Sequence, residues 1–345
     1  MPHRPVSRVL AGIPGAPQVM RSAGRAVPPA RAAVPPLAGG LTWRWQPPFP
    51  LDWSRTLGVH RRGRGDPAYL VDACGAAWRT TLTPDGPATM RVHAVPVAED
   101  GRVRVCASAW GPGAAWLLGS LPGLLGAADD PSVLEPRHPL LKEMSHRHHA
   151  LRIGRSSRVF EALVPAVLEQ KVVGAEAKRA WRRLLLRFGD PAPGPAPPGM
   201  RVFPAPRAWA RIPSWEWHRA GVELVRARTI IGAARVAGRL EEVATIPPAE
   251  ADRRLQSLPG IGPWTSAEIR QRACGDPDAV SVGDYHLPSI VGWALTGQKT
   301  DDAGMLELLA PYAGQRHRAA WLLTLSGLGP PRHGPRNAPR DYSRI

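Results

Sequence analysis

The sequence predicts a mainly α-helical protein with a small antiparallel α/β domain near its N-terminus. Three observations predict it. Residues 77–108 hold three β-rich stretches separated by Asp-Gly turns. From about residue 150 apolar side chains recur at i, i+3, i+4 and i+7, the period of a helix with one buried stripe. Leu258-Pro259-Gly260-Ile261-Gly262 then separates two amphipathic helical segments by a turn rich in glycine.

Residues 1–40 contain five Arg and eight Pro and no Asp or Glu. No continuous apolar core follows the charge as a signal peptide requires, so they read as a disordered basic extension. From Leu41 the character changes, because Trp43, Trp45, Phe49, Leu51 and Trp53 supply the area that a folded domain buries. Strands are expected over Ala77 to Thr83, Thr89 to Val97 and Arg102 to Ser108, with Asp85-Gly86 and Asp100-Gly101 turning the chain. Polar and apolar residues alternate from Arg102 to Ala107, the mark of a half-buried sheet. The small α/β domain is placed at 41–130. Its longest apolar run, Ala114 to Leu125, is interrupted by Pro122 and falls short of the roughly 18 residues a membrane span needs.

A helical region is expected over 131–329. Phe160, Leu163, Val164, Val167 and Leu168 form one stripe, with Ser156 or Ser157 as its N-cap and Pro165 as a kink or local irregularity. Trp181, Leu184, Leu185 and Phe188 form a second stripe. Lys178, Arg179, Arg182, Arg183 and Arg187 fill the rest of that helix, facing either solvent or a polyanion. Residues 190–199 carry too much proline for a helix and read as a loop. Helical signals return over Val222 to Val236, Pro248 to Ser257, Pro263 to Ala273 and Asp284 to Leu295. The Pro-rich basic tail 330–345 reads as mobile.

The formal net charge is +17, which makes nucleic acid the first partner to consider, although an Arg-rich coding composition gives the same charge. Cys74, Cys106 and Cys274 stand far apart, which excludes an iron–sulfur or zinc site built on cysteines and suits a reducing cytoplasm. No metal and no cofactor are expected. In LPGIG the glycines allow backbone N–H groups of Gly260, Ile261 and Gly262 to approach a phosphate closely, and Pro263 suits the first turn of the next helix. An ordinary interhelical turn would use the same residues. Downstream, Gly283 permits an abrupt turn into Asp284, which is placed either to cap the following helix or to act as a catalytic carboxylate.

These residues resemble the helix-hairpin-helix DNA glycosylase superfamily, and within it the 3-methyladenine DNA glycosylase II family. The resemblance covers about 41–330 and is carried by LPGIGPWT at 258–265 with Asp284, supported by FEALVPAVLEQK at 160–171 and RARTIIGAAR at 226–235. It implies a two-part helical core with a cleft between the parts, Asp284 as catalytic carboxylate, and His286 near DNA phosphate in an Asp-x-His arrangement. Trp264 stands where bifunctional members carry a Schiff-base lysine, which implies a monofunctional enzyme. Glu268 replaces an aromatic residue found one turn after this tryptophan in well-known relatives, so Trp264 and Glu268 are the base-pocket candidates. Lys171 is the candidate for filling the vacated base stack.

The activity expected is hydrolysis of the N-glycosidic bond of a flipped-out damaged base, an alkylated one, during base-excision repair. The alternative is a catalytically inactive helix-hairpin-helix protein that binds or senses damaged DNA. The expected partner is double-stranded DNA containing damaged bases, met by a cytoplasmic, nucleoid-associated monomer without membrane contact.

Overall fold

The computed structural model describes residues 39–97 and 101–331. The N-terminal extension up to residue 38, the tail from 332 and the Asp100 end of the second expected turn lie outside the described residues.

The chain enters a five-stranded antiparallel sheet through β1 (Leu41–Trp45), passes α1 (Trp53–Gly58), and continues into β2 (Tyr69–Val71), β3 (Ala77–Thr83), β4 (Gly86–Pro96) and β5 (Val103–Trp110), in the spatial order β1-β5-β4-β3-β2. Period-two alternation decides which side is buried. Val103, Val105, Ala107 and Ala109 face inward from β5, opposite Met90 and Val92 of β4. Helix α2 (Ala114–Leu124) lays Leu117, Leu121 and Leu124 on that face, which is why the longest apolar run of the sequence is a core helix. The expected strands match β3 to the residue, while β4 begins at Gly86, three residues before the expected Thr89. Strand β1 pairs along its length with β5, although its tryptophans read only as hydrophobic mass.

The helical body follows as α3 (Pro139–Arg147), α4 (Val159–Leu168), α5 (Gly174–Phe188), α6 (Pro206–Trp209), α7 (Ser214–Ala220), α8 (Leu224–Arg235), α9 (Ala237–Glu241), α10 (Pro248–Gln256), α11 (Pro263–Ile269), α12 (Leu287–Thr296), α13 (Asp302–Leu309) and α14 (Arg316–Leu325). It holds two cores. One surrounds α4, every residue of which is buried except Glu161, and takes Trp181 and Leu184 from α5, Ile230 from α8, Leu255 from α10 and Ile269 from α11. The other joins segments far apart in the chain, Leu141, Met144 and Leu151 with Val291, Met305 and Leu323.

Two local expectations change. Helix α4 is capped by neither Ser156 nor Ser157: its first amides, on Val159 and Phe160, donate to the Glu241 carboxylate at 2.8 and 3.2 Å. A carboxylate at a helix N-terminus satisfies orphan donors and complements the dipole, and here it arrives from α9, 82 residues away in sequence. The 190–199 segment does more than connect elements. Asp190–Pro191 pairs with Arg201–Val202, and Ala192, Ala196 and Met200 pack on Trp78 and Trp110, themselves stacked 5.6 Å apart. Pro165 lies within α4, three residues before its end.

Candidate active site

The hairpin is built first. Leu258 accepts from the Ile261 amide at 3.1 Å, closing the turn, and the Ile261 side chain is buried in the α4 core. Ile261 therefore anchors the hairpin, and its amide, named above as a phosphate contact, is already engaged. Gly260 has φ +86°, and a Cβ there would overlap Thr229 of α8. Gly262 differs: its φ is −102°, and a Cβ would point into open space. Gln170, just past α4, clamps the turn by donating to the Gly260 carbonyl at 2.8 Å and to Thr265 at 2.9 Å. Pro259, Gly260 and the neighbouring Lys171 are exposed, Lys171 at φ +54°.

From this hairpin α11 runs inward. Its second residue, Trp264, donates its indole N–H to Asp284 Oδ2 at 3.2 Å. The other carboxylate oxygen, Oδ1, accepts the amides of His286 and Leu287, both at 2.8 Å. Asp284 thus caps α12 and at the same time presents a half-buried carboxylate. The expected helix from Asp284 begins three residues later, at Leu287, because 284–286 form the capping turn. Gly283, at φ +91°, lets the chain reverse there, and its amide is tied to Asp302 at 3.0 Å.

Asp284 opens on a cavity of about 350 Å³. Thr56 and Val59 at the end of α1, residues 152–154, Glu268, Gln271, Arg272, Ser281, the start of α12 and the His317–Trp321 face of α14 line it. The continuous helix expected over 263–273 ends at Ile269 and gives way to a π-helical turn, Arg270–Cys274, which carries Gln271 and Arg272 to the cavity wall.

Glu268 lies one turn beyond Trp264 in the cavity wall. Its Oε1 accepts from Ser281 and its Oε2 from Arg272, both at 2.7 Å. Burial acts to raise its pKa, yet the Arg272 charge, the Ser281 hydroxyl and Arg62 outweigh it and hold the carboxyl below its ordinary value. His317 stacks on Trp321, ring centroids 6.0 Å apart and 13° from parallel. Burial pushes the His317 imidazole down to about 3, Glu268 opposing and Arg272, Arg318 and Arg270 reinforcing the shift. The ring is therefore neutral near pH 7.

That depression has a measurable consequence. Between about 3 and 6.5 the unfolded chain binds a proton that folded His317 refuses, so stability is lost as pH falls through this window. In urea denaturation between pH 7 and 4, His317→Gln is expected to decline less steeply than the parent protein. Parallel curves would remove His317 as a source of the dependence.

The structure thus brings Asp284, Glu268 and His286 to one cavity, with Gly260, Ile261 and Gly262 in the adjoining hairpin. Trp264 is not among the residues lining the cavity; it stands against Asp284. Sequence reasoning missed Arg152, Gln271, Arg272, Ser281 and His317 as wall residues. The pairs Glu268/Arg272 and His317/Trp321 share the i,i+4 spacing that puts side chains on one helical face, but nothing local says which face meets a cavity. Among the described residues no group of three or more acidic, His or Cys side chains is arranged to hold a metal ion, and no helix is long and apolar enough to cross a membrane.

No family model matches the chain. It is 29% identical over 190 residues to the DNA-3-methyladenine glycosylase of Bacillus subtilis, covering 54% of this chain and 62% of that protein. It is 31% identical over 167 residues to the probable bifunctional transcriptional activator/DNA repair enzyme AlkA of Mycobacterium tuberculosis, covering 46% of this chain and 32% of that protein. The chain therefore matches less than two thirds of the length of these curated relatives. In fold it is similar to the 3-methyladenine DNA-glycosylase from Archaeoglobus fulgidus, with a TM-score of 0.66 and 19% identity over 81% of this chain and 96% of that one. It is also similar to the Clostridium acetobutylicum 8-oxoguanine glycosylase/lyase in complex with double-stranded DNA, with a TM-score of 0.61 and 11% identity over 83% of this chain and 98% of that one. In sequence, then, the chain is similar over part of its length to a DNA-3-methyladenine glycosylase and to a probable AlkA repair enzyme, and in fold it is similar to solved DNA glycosylases.

Proposed function

We propose that this protein is a monofunctional DNA glycosylase of base-excision repair that hydrolyses the N-glycosidic bond of a flipped-out, alkylated base in double-stranded DNA. One observation carries the reading: a fixed carboxylate, Asp284, opens on a cavity of about 350 Å³ beside a hairpin with an exposed backbone. That volume lies at the lower end of the roughly 300–1,000 Å³ of ligand pockets. A base reaches such a site only after rotating out of the duplex, at a cost of a few kcal/mol that is smaller for a weakened pair.

As the bond to the base breaks, positive charge develops on the deoxyribose. An anion already held beside the sugar stabilises that transition state more than the ground state, in which the sugar carries no charge. Asp284 is held so: two backbone amides fix Oδ1, and the Trp264 indole orients Oδ2. None of these donors needs to move during reaction. Water attacking the sugar is aligned by the same carboxylate. Alkylation at a ring nitrogen makes the base a cationic leaving group, so no strong general acid is required.

The hairpin at Gly260 and Gly262 positions the backbone, with His286 at the cavity rim near a phosphate and Lys171 beside the hairpin to fill the vacated stack. Phosphate contacts of this kind set register without reading bases. The protein acts as a monomer in the cytoplasm, associated with the nucleoid. Its domains follow the sequence divisions, a small α/β domain at 41–130 and a helical catalytic region at 131–329.

The described side chains lining the cavity include guanidinium groups, Arg152 and Arg272, and no lysine amine. A guanidinium does not form the imine through which bifunctional members cleave the strand. Incubation with a duplex carrying an alkylated base is expected to leave an abasic site in an intact strand. Borohydride added during turnover is expected to trap no protein–DNA adduct, and a trapped adduct would overturn the monofunctional reading. Absence of base release from every damaged duplex would overturn the glycosylase reading itself.

A further inference from the structure

The cavity holds a second carboxylate that the hydrolytic step does not use. An ionised carboxylate offers about four lone-pair sites. Ser281 takes one on Oε1 of Glu268, and Arg272 takes one on Oε2. Each oxygen keeps acceptor capacity while both bonds fix the carboxylate in the wall of a cavity that Leu287, Ile290 and Trp321 line together with Arg152, Gln271 and His317. An acceptor fixed in advance in a largely apolar pocket rewards a ligand that brings an N–H and penalises one that does not, since the unmatched carboxylate has then lost water for nothing.

We infer that Glu268 is the specificity-determining residue of this cavity, selecting cationic alkylpurines whose exocyclic amino group donates an N–H to its carboxylate over lesions that lack such a donor. The inference rests on the glycosylase reading. In 3-methyladenine and 7-methylguanine the ring charge acidifies the amino N–H, which strengthens the charge-assisted bond. In 1,N6-ethenoadenine the former amino nitrogen lies within a fused ring and carries no hydrogen. His317 supports the same choice. Held neutral, it adds no positive charge to those of Arg152 and Arg272 in the same wall, while it stacks on Trp321 and leaves Arg272 as the ion-pair partner of Glu268.

The test is single-turnover release of 7-methylguanine and of 1,N6-ethenoadenine from duplex DNA, each rate divided by the spontaneous loss of that base so that leaving-group ability cancels. The wild-type enhancement is expected to favour 7-methylguanine by about tenfold or more, and Glu268→Gln is expected to collapse that ratio toward about one. A merely structural role for Glu268 would slow both substrates together and leave the ratio intact, which would overturn the inference while the glycosylase reading stands. Should Glu268→Gln not fold, the wild-type ratio alone decides: a preference for the ethenoadenine duplex overturns the assignment. A wild type that releases neither base from any duplex overturns the glycosylase reading, and the inference falls with it.

Discussion

Asp284→Asn is expected to slow base release by at least about a hundredfold while leaving affinity for damaged or abasic DNA within a few fold. Asparagine is the informative replacement because of how the carboxylate is held. Its Oδ1 can still accept the amides of His286 and Leu287, so the cap on α12 survives. The amide nitrogen then faces the Trp264 indole N–H, donor against donor, where Oδ2 had accepted at 3.2 Å. What disappears is the negative charge next to the developing cation, together with the orientation of the second oxygen. Single-turnover release and equilibrium binding to an abasic duplex, measured on the same preparation, separate these effects. If affinity and rate fall by equal factors, or neither falls, Asp284 serves as a cap and the chemistry lies elsewhere.

The sequence alone leaves capping and catalysis as alternatives for Asp284, whereas the geometry gives one side chain both of the bonds a cap needs and an oxygen to spare. A Gly-Asp turn after a glycine hairpin is a local pattern, so it is legible in the sequence. The bond that orients the spare oxygen crosses 20 residues, from Trp264, and has no local signature. The same division runs through the fold. Strand β3 can be read to the residue, because its run of Trp, Thr and Leu ends at an Asp-Gly turn. Helix α4 can be read from its stripe, but its cap cannot, because Glu241 belongs to another helix. The π-helical turn after α11 hides inside a helical pattern that shows no break, and it is defined by where Gln271 and Arg272 must point. Pockets are assembled from faces of several elements, and a stripe pattern reveals only which face of each element is greasy.

Gly262→Val is expected to weaken binding to damaged and undamaged duplexes alike, by about tenfold, without unfolding the protein. The two hairpin glycines look interchangeable in sequence, but their backbones separate them. At Gly260, φ +86° and the proximity of Thr229 mean that any side chain adds strain of about 1–2 kcal/mol and forces a local shift, so weaker binding there could follow from a distorted turn. At Gly262 the backbone is extended, at φ −102° and ψ −175°, which valine adopts readily, and the added Cβ meets nothing within 4 Å. Any fall in affinity must then come from what approaches from outside. Gly262 is also the N-cap of α11, where unpaired amides and the helix dipole favour an anion, and a branched side chain there stands between those amides and a phosphate. For every phosphate that the variant no longer neutralises, the slope of log affinity against log salt should become shallower by about 0.9. The measurement is a salt titration of wild type and Gly262→Val on both duplexes, with thermal melts showing an unchanged fold. A folded variant that loses affinity for the damaged duplex alone, or for neither, would show that this hairpin is not the general phosphate grip and that the duplex is held elsewhere on the protein.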